Sequence, residues 1–198
     1  MNYLAHLALA YPSEGLVVGN FIGDHIRNKD LPNFSKPIQQ GVEMHRSIDV
    51  FTDNHFISKE LRALLFEKHR HVGRVLLDVF YDHFLATHFS KFHSFALEGF
   101  VGKVQPLLQN NFDILPTSAQ HYLKGMITQD WLTKYETTQG IDFILIKMAN
   151  RTGIDSIKEG SQSLIKYYKV LEQGFLGFYP DLVDTCNDFK ISAAKSKT

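Results

Sequence analysis

Two carboxylates four residues apart, Asp78 and Asp82, lie inside the apolar stretch 77–85, whose sequence is LDVFYDHFL. If this stretch is helical, the two side chains share one face, with their Cβ atoms about 5–6 Å apart. Like charges held that close in a buried setting repel each other unless a cation or protons lie between them. The spacing therefore indicates a divalent metal site, with His83 beside the second carboxylate.

His45 and Asp49 form a second pair with the same spacing. Apolar residues recur at helical intervals from Ile38 to about Phe51, so this pair also shares a helix face. Aspartate is almost never buried without a partner. The two pairs together therefore favour metal binding over ordinary burial.

Two isolated residues, His6 and Asp24, are candidates for the same site. A single buried histidine is more often a hydrogen-bonded core or capping residue than a metal ligand, and an aspartate after a glycine is as easily a helix cap. Together with the two pairs they come from at least four separate segments, and bundle metal sites are assembled from side chains on separate helices. Oxygen and imidazole donors without thiolates suit Mn, Fe or Mg, and suit Zn less specifically. The candidate residues of the first 90 positions are His6, Asp24, His45, Asp49, Asp78, Asp82 and His83.

The elements that must position these residues are helices. No alternating strand pattern outweighs the helical periodicity, which predicts an all-α single domain over residues 1–190 and a frayed polar tail over 191–198. Residues 28–37 are expected to be a loop, Thr138-Gln139-Gly140 a turn, and Tyr179-Pro180 the end of the last helix. The glycines of the stretch 16–27 lie four apart, a spacing typical of close helix packing or a turn. The predicted helices cover about 2–11, 38–51, 57–69, 72–88, 90–111, 119–128, 141–150 and 155–178.

Composition narrows the class of protein. The 198 residues contain 21 Lys plus Arg and 21 Asp plus Glu, so nothing favours a general nucleic-acid or membrane-surface binder. The single Cys186 excludes an intramolecular disulfide and fits a reducing compartment. The apolar start lacks the basic leader of a secretory signal and is shorter than the roughly 20 residues of a membrane span. We expect a cytoplasmic protein with neither a nucleic-acid nor a membrane partner.

Residues 59–74 form a basic segment. It carries five cations and two carboxylates. A solvated helix face is the ordinary explanation of such a run. Docking of an anionic partner by electrostatic steering is the alternative, provided that the segment borders the site. The five cations are Lys59, Arg62, Lys68, Arg70 and Arg74.

Four segments in this order resemble the bacterial acyl carrier protein phosphodiesterase family, also called acyl carrier protein hydrolase. They are MNYLAHL at 1–7, GNFIGD at 19–24, HRSIDVFTDNH at 45–55 and LDVFYDHFL at 77–85. Residues 130–135 and 178–180 fall where that family has similar segments. The resemblance therefore extends over nearly the whole chain.

The resemblance implies a divergent HD-type phosphohydrolase that uses Mn²⁺, with Mg²⁺ or Fe as alternatives. Its implied substrate is holo acyl carrier protein, from which it removes the 4'-phosphopantetheine arm. The residues that the resemblance places at the metal site are Asp24, His45, Asp49, Asp78, Asp82 and His83, with His6 nearby and Arg46 beside the site. The usual HD signature has histidine before aspartate, whereas this chain has Asp82-His83, so either residue of that pair is a candidate ligand.

The expected chemistry is attack by a metal-activated water on the phosphorus that joins the arm to a serine of the carrier protein. Arg46 or Arg27 would stabilise charge on the phosphoryl oxygens, and His83, if it is not a ligand, would protonate the leaving serine oxygen. Because acyl carrier proteins are acidic, the basic segment would dock this partner. Two alternatives are an HD-like hydrolase of a small nucleotide or other phosphoester, and a carrier-protein-binding helical module without turnover.

Overall fold

The computed structural model describes residues 1–195. Within these residues the chain forms twelve α-helices, four segments of 3-10 helix and no strand, which confirms the all-α prediction. The 3-10 segments cover Gly23–His25, Asn28–Asn33, Phe112–Ile114 and Asp155–Glu159. The α-helices are α1 (Tyr3–Ala10), α2 (Glu14–Ile22), α3 (Lys36–Asn54), α4 (Phe56–His69), α5 (Val72–Thr87), α6 (Phe89–Phe92), α7 (Leu97–Asn110), α8 (Thr117–Thr128), α9 (Trp131–Lys134), α10 (Thr138–Thr152), α11 (Gly160–Lys166) and α12 (Tyr168–Lys195).

Helices α1 and α5 lie at the centre of the core. Residues Leu4–Ala10 of α1 are all buried, and so are residues 79–86 of α5. Helix α5 is covered on several sides, by α1, α4, α10 and α12. An unbroken buried run on a helix requires such surroundings. None of the helices in residues 1–195 is both long and apolar enough to cross a membrane.

A carboxylate on α5 fixes the start of α1. Asp82 is completely buried and accepts hydrogen bonds from the backbone N–H groups of Asn2, Leu4 and Ala5, at 3.2, 2.7 and 3.3 Å. The first N–H groups of a helix have no partners within it, and a negative charge there is favoured by the helix dipole. Burial raises the pKa of Asp82 to about 7, while the three amides favour its ionised form. The contact anchors α1, and with it His6, against the central helix.

Helices α2 and α3 meet through glycines. A Cβ atom added to Gly19 would lie 2.2 Å from the carbonyl oxygen of Ile38 and 2.5 Å from the Cα atom of Gly41. Such distances leave no room for any side chain, so the two backbones touch. The glycine spacing of residues 16–27 therefore reflects close helix packing, one of the two alternatives that the sequence suggested. A Cβ atom on Gly23 would likewise lie 2.3 Å from the ring of His45.

Three predictions for the second half of the chain are wrong. Thr138–Gly140 is the first turn of α10 and not a connecting turn, because the Thr137 hydroxyl accepts a hydrogen bond from the Gly140 N–H and caps the helix. The predicted helix over 155–178 is divided between a 3-10 segment, α11 and α12. Helix α12 also continues through Pro180, since the buried side chains Tyr179 and Leu182 hold it to the core on both sides of the proline.

Smaller differences occur in the predicted loop and tail. The predicted loop 28–37 contains the 3-10 segment Asn28–Asn33 and the start of α3, which has Pro37 in its first turn. Proline is tolerated there because the first N–H groups of a helix have no internal partner. Residues 191–195 of the predicted frayed tail are helical. Residues 196–198 of that tail lie outside the described residues.

Replacing Gly19 by alanine tests the contact between α2 and α3. We expect Gly19→Ala to lower the free energy of unfolding by about 1–3 kcal/mol or more, because the added methyl group overlaps the backbone of α3. Gly102→Ala is the matched control, since a Cβ atom there meets nothing within 4 Å. That variant should be neutral or stabilised by up to about 1 kcal/mol, because alanine is the better helix former. Urea unfolding measures both, and equal stability of the two variants would contradict the close contact.

Candidate metal centre

Three side chains from α1 and α3 converge at one point. One potential ligand atom from each of His6, His45 and Asp49 lies within 4.8 Å of the other two. The two oxygens of Asp49 each face one imidazole, with Oδ1 at 3.2 Å from Nε2 of His6 and Oδ2 at 3.3 Å from Nε2 of His45. The imidazole rings stack with their centroids 4.0 Å apart. The predicted pair on α3 therefore shares a face and lies beside His6.

Asn20 of α2, which the sequence analysis did not identify, orients both imidazoles. The Nδ1–H of His45 donates to the main-chain carbonyl of Asn20 at 2.9 Å, and Nδ1 of His6 lies 3.2 Å from the Asn20 side-chain oxygen. The Asn20 amide nitrogen donates to the Leu16 carbonyl at 3.1 Å, which leaves the side-chain oxygen facing His6. Both Nδ1 atoms therefore carry hydrogen, and both Nε2 atoms face Asp49. Outer contacts of this kind fix the orientation of metal-binding histidines.

The electrostatics of the cluster favour a positive charge at its centre. Burial and the neighbouring His45 lower the pKa of His6. Burial also opposes protonation of His45, but hydrogen bonds to Asp24 and Asp49 outweigh it and raise the His45 pKa. Burial would raise the pKa of Asp49, yet hydrogen bonds from His45 and His6 hold it well below its usual range. The cluster thus holds one positive charge, carried by a proton. A metal ion at the same place would bind the lone pairs of the Nε2 atoms and of the Asp49 oxygens.

Asp24 and Asp78 lie at the edge of this cluster. Asp24 is exposed in the 3-10 segment after α2, and its Oδ1 lies 3.3 Å from Nε2 of His45. Asp78 is half-buried and binds the amino-terminal ammonium of Met1 at 2.9 Å. That ammonium lies 3.9 Å from Oδ1 of Asp49. The structure therefore brings Asp24 into contact with His45 and connects Asp78 to Asp49 through Met1.

The predicted pair on α5, Asp78 and Asp82, has partners at the start of the chain. Asp78 contacts the ammonium of Met1, and Asp82 accepts the amides of α1, so the positive end of α1 faces both carboxylates. Protein groups here supply the positive partner that two close carboxylates need. A metal-binding role for these two aspartates stays a prediction.

His83 lies apart from the cluster, on another face of α5. Its Nδ1 lies 2.7 Å from the carbonyl oxygen of Tyr135 and its Nε2 lies 3.2 Å from the hydroxyl of Tyr168. Burial lowers the pKa of His83, which disfavours the protonated form that a general acid needs. This geometry gives no support to the expected role of His83 as proton donor.

The two arginines expected to act on the phosphoryl group lie in different surroundings. Arg27 is exposed and pairs with Asp30 at 2.9 Å. Arg46 is half-buried and directly follows His45 on α3. Adjacent positions on a helix point about 100° apart, so Arg46 does not share the face of His45 and Asp49. Their roles remain predictions.

Part of the basic segment is neutralised within the protein. Asp53 binds Arg62 at 2.9 Å and also binds Arg74, and Lys68 lies 3.5 Å from Glu159. The segment nevertheless borders the site. Asp53 lies one helical turn after Asp49 on α3, and Arg74 lies one turn before Asp78 on α5.

The remaining cations of that segment, Lys59 and Arg70, are exposed. The guanidinium of Arg70 lies 5.5 Å from the centre of the Phe66 ring, which is itself partly exposed. A partner that approached the site along α4 and α5 would therefore meet free positive charge at these two positions.

An open cleft of about 350 Å³ reaches the edge of the cluster. Its carboxylates are Asp24 and Asp78, and its cations are the Met1 ammonium and the guanidinium of Arg151 of α10, a residue that the sequence analysis did not identify. The cleft has room for a phosphate group and the atoms bonded to it. The residues that line it include Tyr3, Asp24, His25, Asp78, Met148 and Arg151.

Comparison with known proteins gives one consistent result. The family described as acyl carrier protein phosphodiesterase matches residues 1–182. The chain is 35% identical to the acyl carrier protein phosphodiesterase of Serratia proteamaculans over 191 residues, which are 95% of this chain and 98% of that protein. It is 32% identical to the protein of the same name from Salmonella agona over 188 residues, 92% of this chain and 96% of that protein.

No solved structure matches the chain. The family match spans nine-tenths of the sequence and includes every residue of the His6, His45 and Asp49 cluster. The chain therefore belongs to the acyl carrier protein phosphodiesterase family.

Proposed function

We propose that this chain is a metal-dependent phosphodiester hydrolase that removes the 4'-phosphopantetheine arm from holo acyl carrier protein. Family membership supports the reaction, and one structural observation supports the metal. The Nε2 atoms of His6 and His45 converge on the carboxylate of Asp49, beside a cleft large enough for a phosphodiester.

The donor set fits a divalent ion. His6, His45 and Asp49 would hold it, and Asp24, whose Oδ1 lies 3.3 Å from His45 Nε2, could add an oxygen donor. Asp78 would add one only if it gave up its contact with the Met1 ammonium. Nitrogen and oxygen donors without thiolates suit Mn²⁺, with Mg²⁺ or Fe as alternatives. A bound ion would supply an activated water and positive charge against the phosphoryl oxygens.

The chain's own groups orient this chemistry. Asn20 holds both imidazoles with Nε2 toward Asp49, so neither ring has to turn before it binds a cation. Asp82 holds the start of α1, which fixes His6 relative to α5. The supply of charge to the phosphoryl oxygens by Arg46 and Arg27 stays a prediction, because Arg46 does not share the face of His45 and Asp49 and Arg27 is paired with Asp30.

The exposed cations of the basic segment suit an acidic protein partner. Lys59 and Arg70 are not neutralised by an ion pair within the described residues, and Arg70 precedes α5 by two positions. Asp78 lies six residues after the start of α5, about 9 Å along the helix at 1.5 Å per residue. A carrier protein docked on these cations would lie near the cleft, and steering of this kind raises association rates more than affinity.

Removal of the Asp49 carboxylate tests the proposed reaction. We expect wild-type protein with Mn²⁺ to convert holo acyl carrier protein to the apo form, seen by intact mass spectrometry as loss of the arm. Asp49→Asn should reduce this rate by more than about 100-fold, because the central donor that faces both imidazoles loses its charge.

Asp184→Asn, which removes an exposed carboxylate of α12, is the control and should retain full activity. Circular dichroism should show both variants folded. Full activity of Asp49→Asn would remove the cluster from the mechanism, and an unchanged carrier protein mass with wild type would refute the reaction itself.

Charge reversal in the basic segment tests the carrier protein as the substrate. We expect Lys59→Glu and Arg70→Glu each to raise KM for holo acyl carrier protein several-fold at low salt, with kcat nearly unchanged. The effect should shrink as the ionic strength approaches about 0.15 M, where the Debye length is about 8 Å. Lys103→Glu on the exposed side of α7 is the matched control.

A small phosphodiester such as bis(p-nitrophenyl) phosphate should be hydrolysed equally by the wild type and by the three variants Lys59→Glu, Arg70→Glu and Lys103→Glu. If the KM for carrier protein is unaffected by both reversals, the docking surface lies elsewhere. If only small phosphoesters or nucleotides are hydrolysed, the alternative of a small-molecule hydrolase is correct.

A further inference from the structure

The outward side of α4 carries a stripe of apolar and basic residues. Its members lie three or four residues apart, so they follow one another along one side of the helix. Phe56 is 64% exposed and Phe66 is 46% exposed. The guanidinium of Arg70, the residue after the helix, lies over the Phe66 ring. The stripe consists of Phe56, Lys59, Ala63, Phe66 and Arg70, all of them exposed.

The two phenylalanines give the stripe apolar anchors. A single exposed apolar side chain is ordinary, whereas apolar surface rimmed by polar groups marks an interaction site. Phe56 and Phe66 are separated by about 15 Å along the helix at 1.5 Å per residue. Ala63 lies between them, and its small side chain leaves space for a side chain of a partner. This pattern suits the packing of a second helix along α4.

The stripe lies along the edge of α4 that faces α3. Arg62 is a surface neighbour of Lys59 and Phe66, because it lies three residues after one and four residues before the other. Its guanidinium binds Asp53 of α3 at 2.9 Å. Asp53 follows Asp49 by one helical turn. A partner on the stripe would therefore lie beside the candidate metal centre.

Charge is sorted across the exposed side of α4. Lys59 and Arg70 belong to the stripe, and neither forms an ion pair with another part of residues 1–195. Glu60 and Glu67 each follow a member of the stripe and point about 100° away from it. Glu67 lines a separate cavity between α4 and α11. Positive charge therefore lies toward α3 and negative charge toward α11.

We propose that this stripe is the docking site for an acidic amphipathic helix of the acyl carrier protein. The apolar side of that helix would pack on Phe56, Ala63 and Phe66, while its carboxylates would pair with Lys59 and Arg70. An acidic partner is repelled by the glutamate edge and attracted by the stripe, which gives the docked helix one orientation around α4. This inference rests on the proposed function, which names the partner, and it adds apolar contacts to the two cations.

Binding of apo acyl carrier protein isolates these contacts, because the apo form carries no arm and undergoes no turnover. We expect Phe56→Ser and Phe66→Ser each to weaken this binding roughly five- to tenfold in isothermal titration calorimetry, since an apolar anchor is lost. That factor should stay the same when the ionic strength rises to about 0.15 M, whereas the loss caused by Lys59→Glu should shrink. Ile165→Ser is the matched control, because it replaces a 65% exposed side chain of α11, and it should bind like the wild type.

Ala63→Glu tests the centre of the stripe. Glutamate is a good helix former, so this exposed substitution should leave the protein folded. Its charge would face the carboxylates of the partner, and we expect more than about tenfold weaker binding at low salt. Unchanged binding by a folded Ala63→Glu variant would overturn the proposal, as would equal losses for Phe66→Ser and Ile165→Ser. If the serine variants fail to fold, Ala63→Glu decides.

Two other occupants of the stripe are tested with the same variants. Sedimentation velocity would detect a dimer of this chain that Ala63→Glu dissociates. Cosedimentation with phosphatidylglycerol vesicles would detect a membrane contact that Phe66→Ser removes. Either result, with carrier protein binding unchanged in the variants, would overturn the proposal.

The binding measurements separate this proposal from the proposed reaction. A protein that binds apo acyl carrier protein through the stripe but leaves the holo form intact refutes the reaction alone. A protein that removes the arm, and whose phenylalanine and Ala63→Glu variants bind carrier protein normally, refutes the stripe alone.

Discussion

The candidate metal centre depends on the distance between helices α2 and α3. Gly19 and Gly41 allow the two backbones to touch, and at that separation the main-chain carbonyl of Asn20 reaches the imidazole of His45. Gly23 leaves the space that the His45 ring fills. A wider separation would break the bond to Asn20 and free the ring to rotate. The packing of two helices therefore determines which nitrogen of His45 faces Asp49.

Charge balance is the second constraint on this region. Asp49 lies against two imidazoles, Asp78 against the ammonium of Met1, and Asp82 against the amides of α1. Each buried or half-buried carboxylate thus has a positive or polar partner, as the cost of isolated buried charge requires. Asp49 differs from the other two because its partners are imidazoles whose Nδ1 atoms are already hydrogen-bonded to Asn20. It is therefore the carboxylate at which a metal ion would most directly take the place of a proton.

The sequence predicted the helical fold, the His45 and Asp49 pair, and the candidacy of His6, because helical spacing determines which side chains share a face. It did not identify Asn20, although a lone amide inside the apolar run of α2 was a usable signal. Arg151 could not be found in that way, since it follows no spacing rule and reaches the cleft only through the packing of α10. The role assigned to His83 rested on its adjacency to Asp82, yet neighbours in a helix point in different directions.

Anomalous diffraction from crystals grown with Mn²⁺ would locate the ion without reference to activity. We expect a strong peak within bonding distance of His6 Nε2, His45 Nε2 and Asp49, with Asn20 still bound to both Nδ1 atoms. A peak between Asp78 and Asp82 with none at the histidines, or no peak in a protein that hydrolyses holo acyl carrier protein in Mn²⁺, would contradict it.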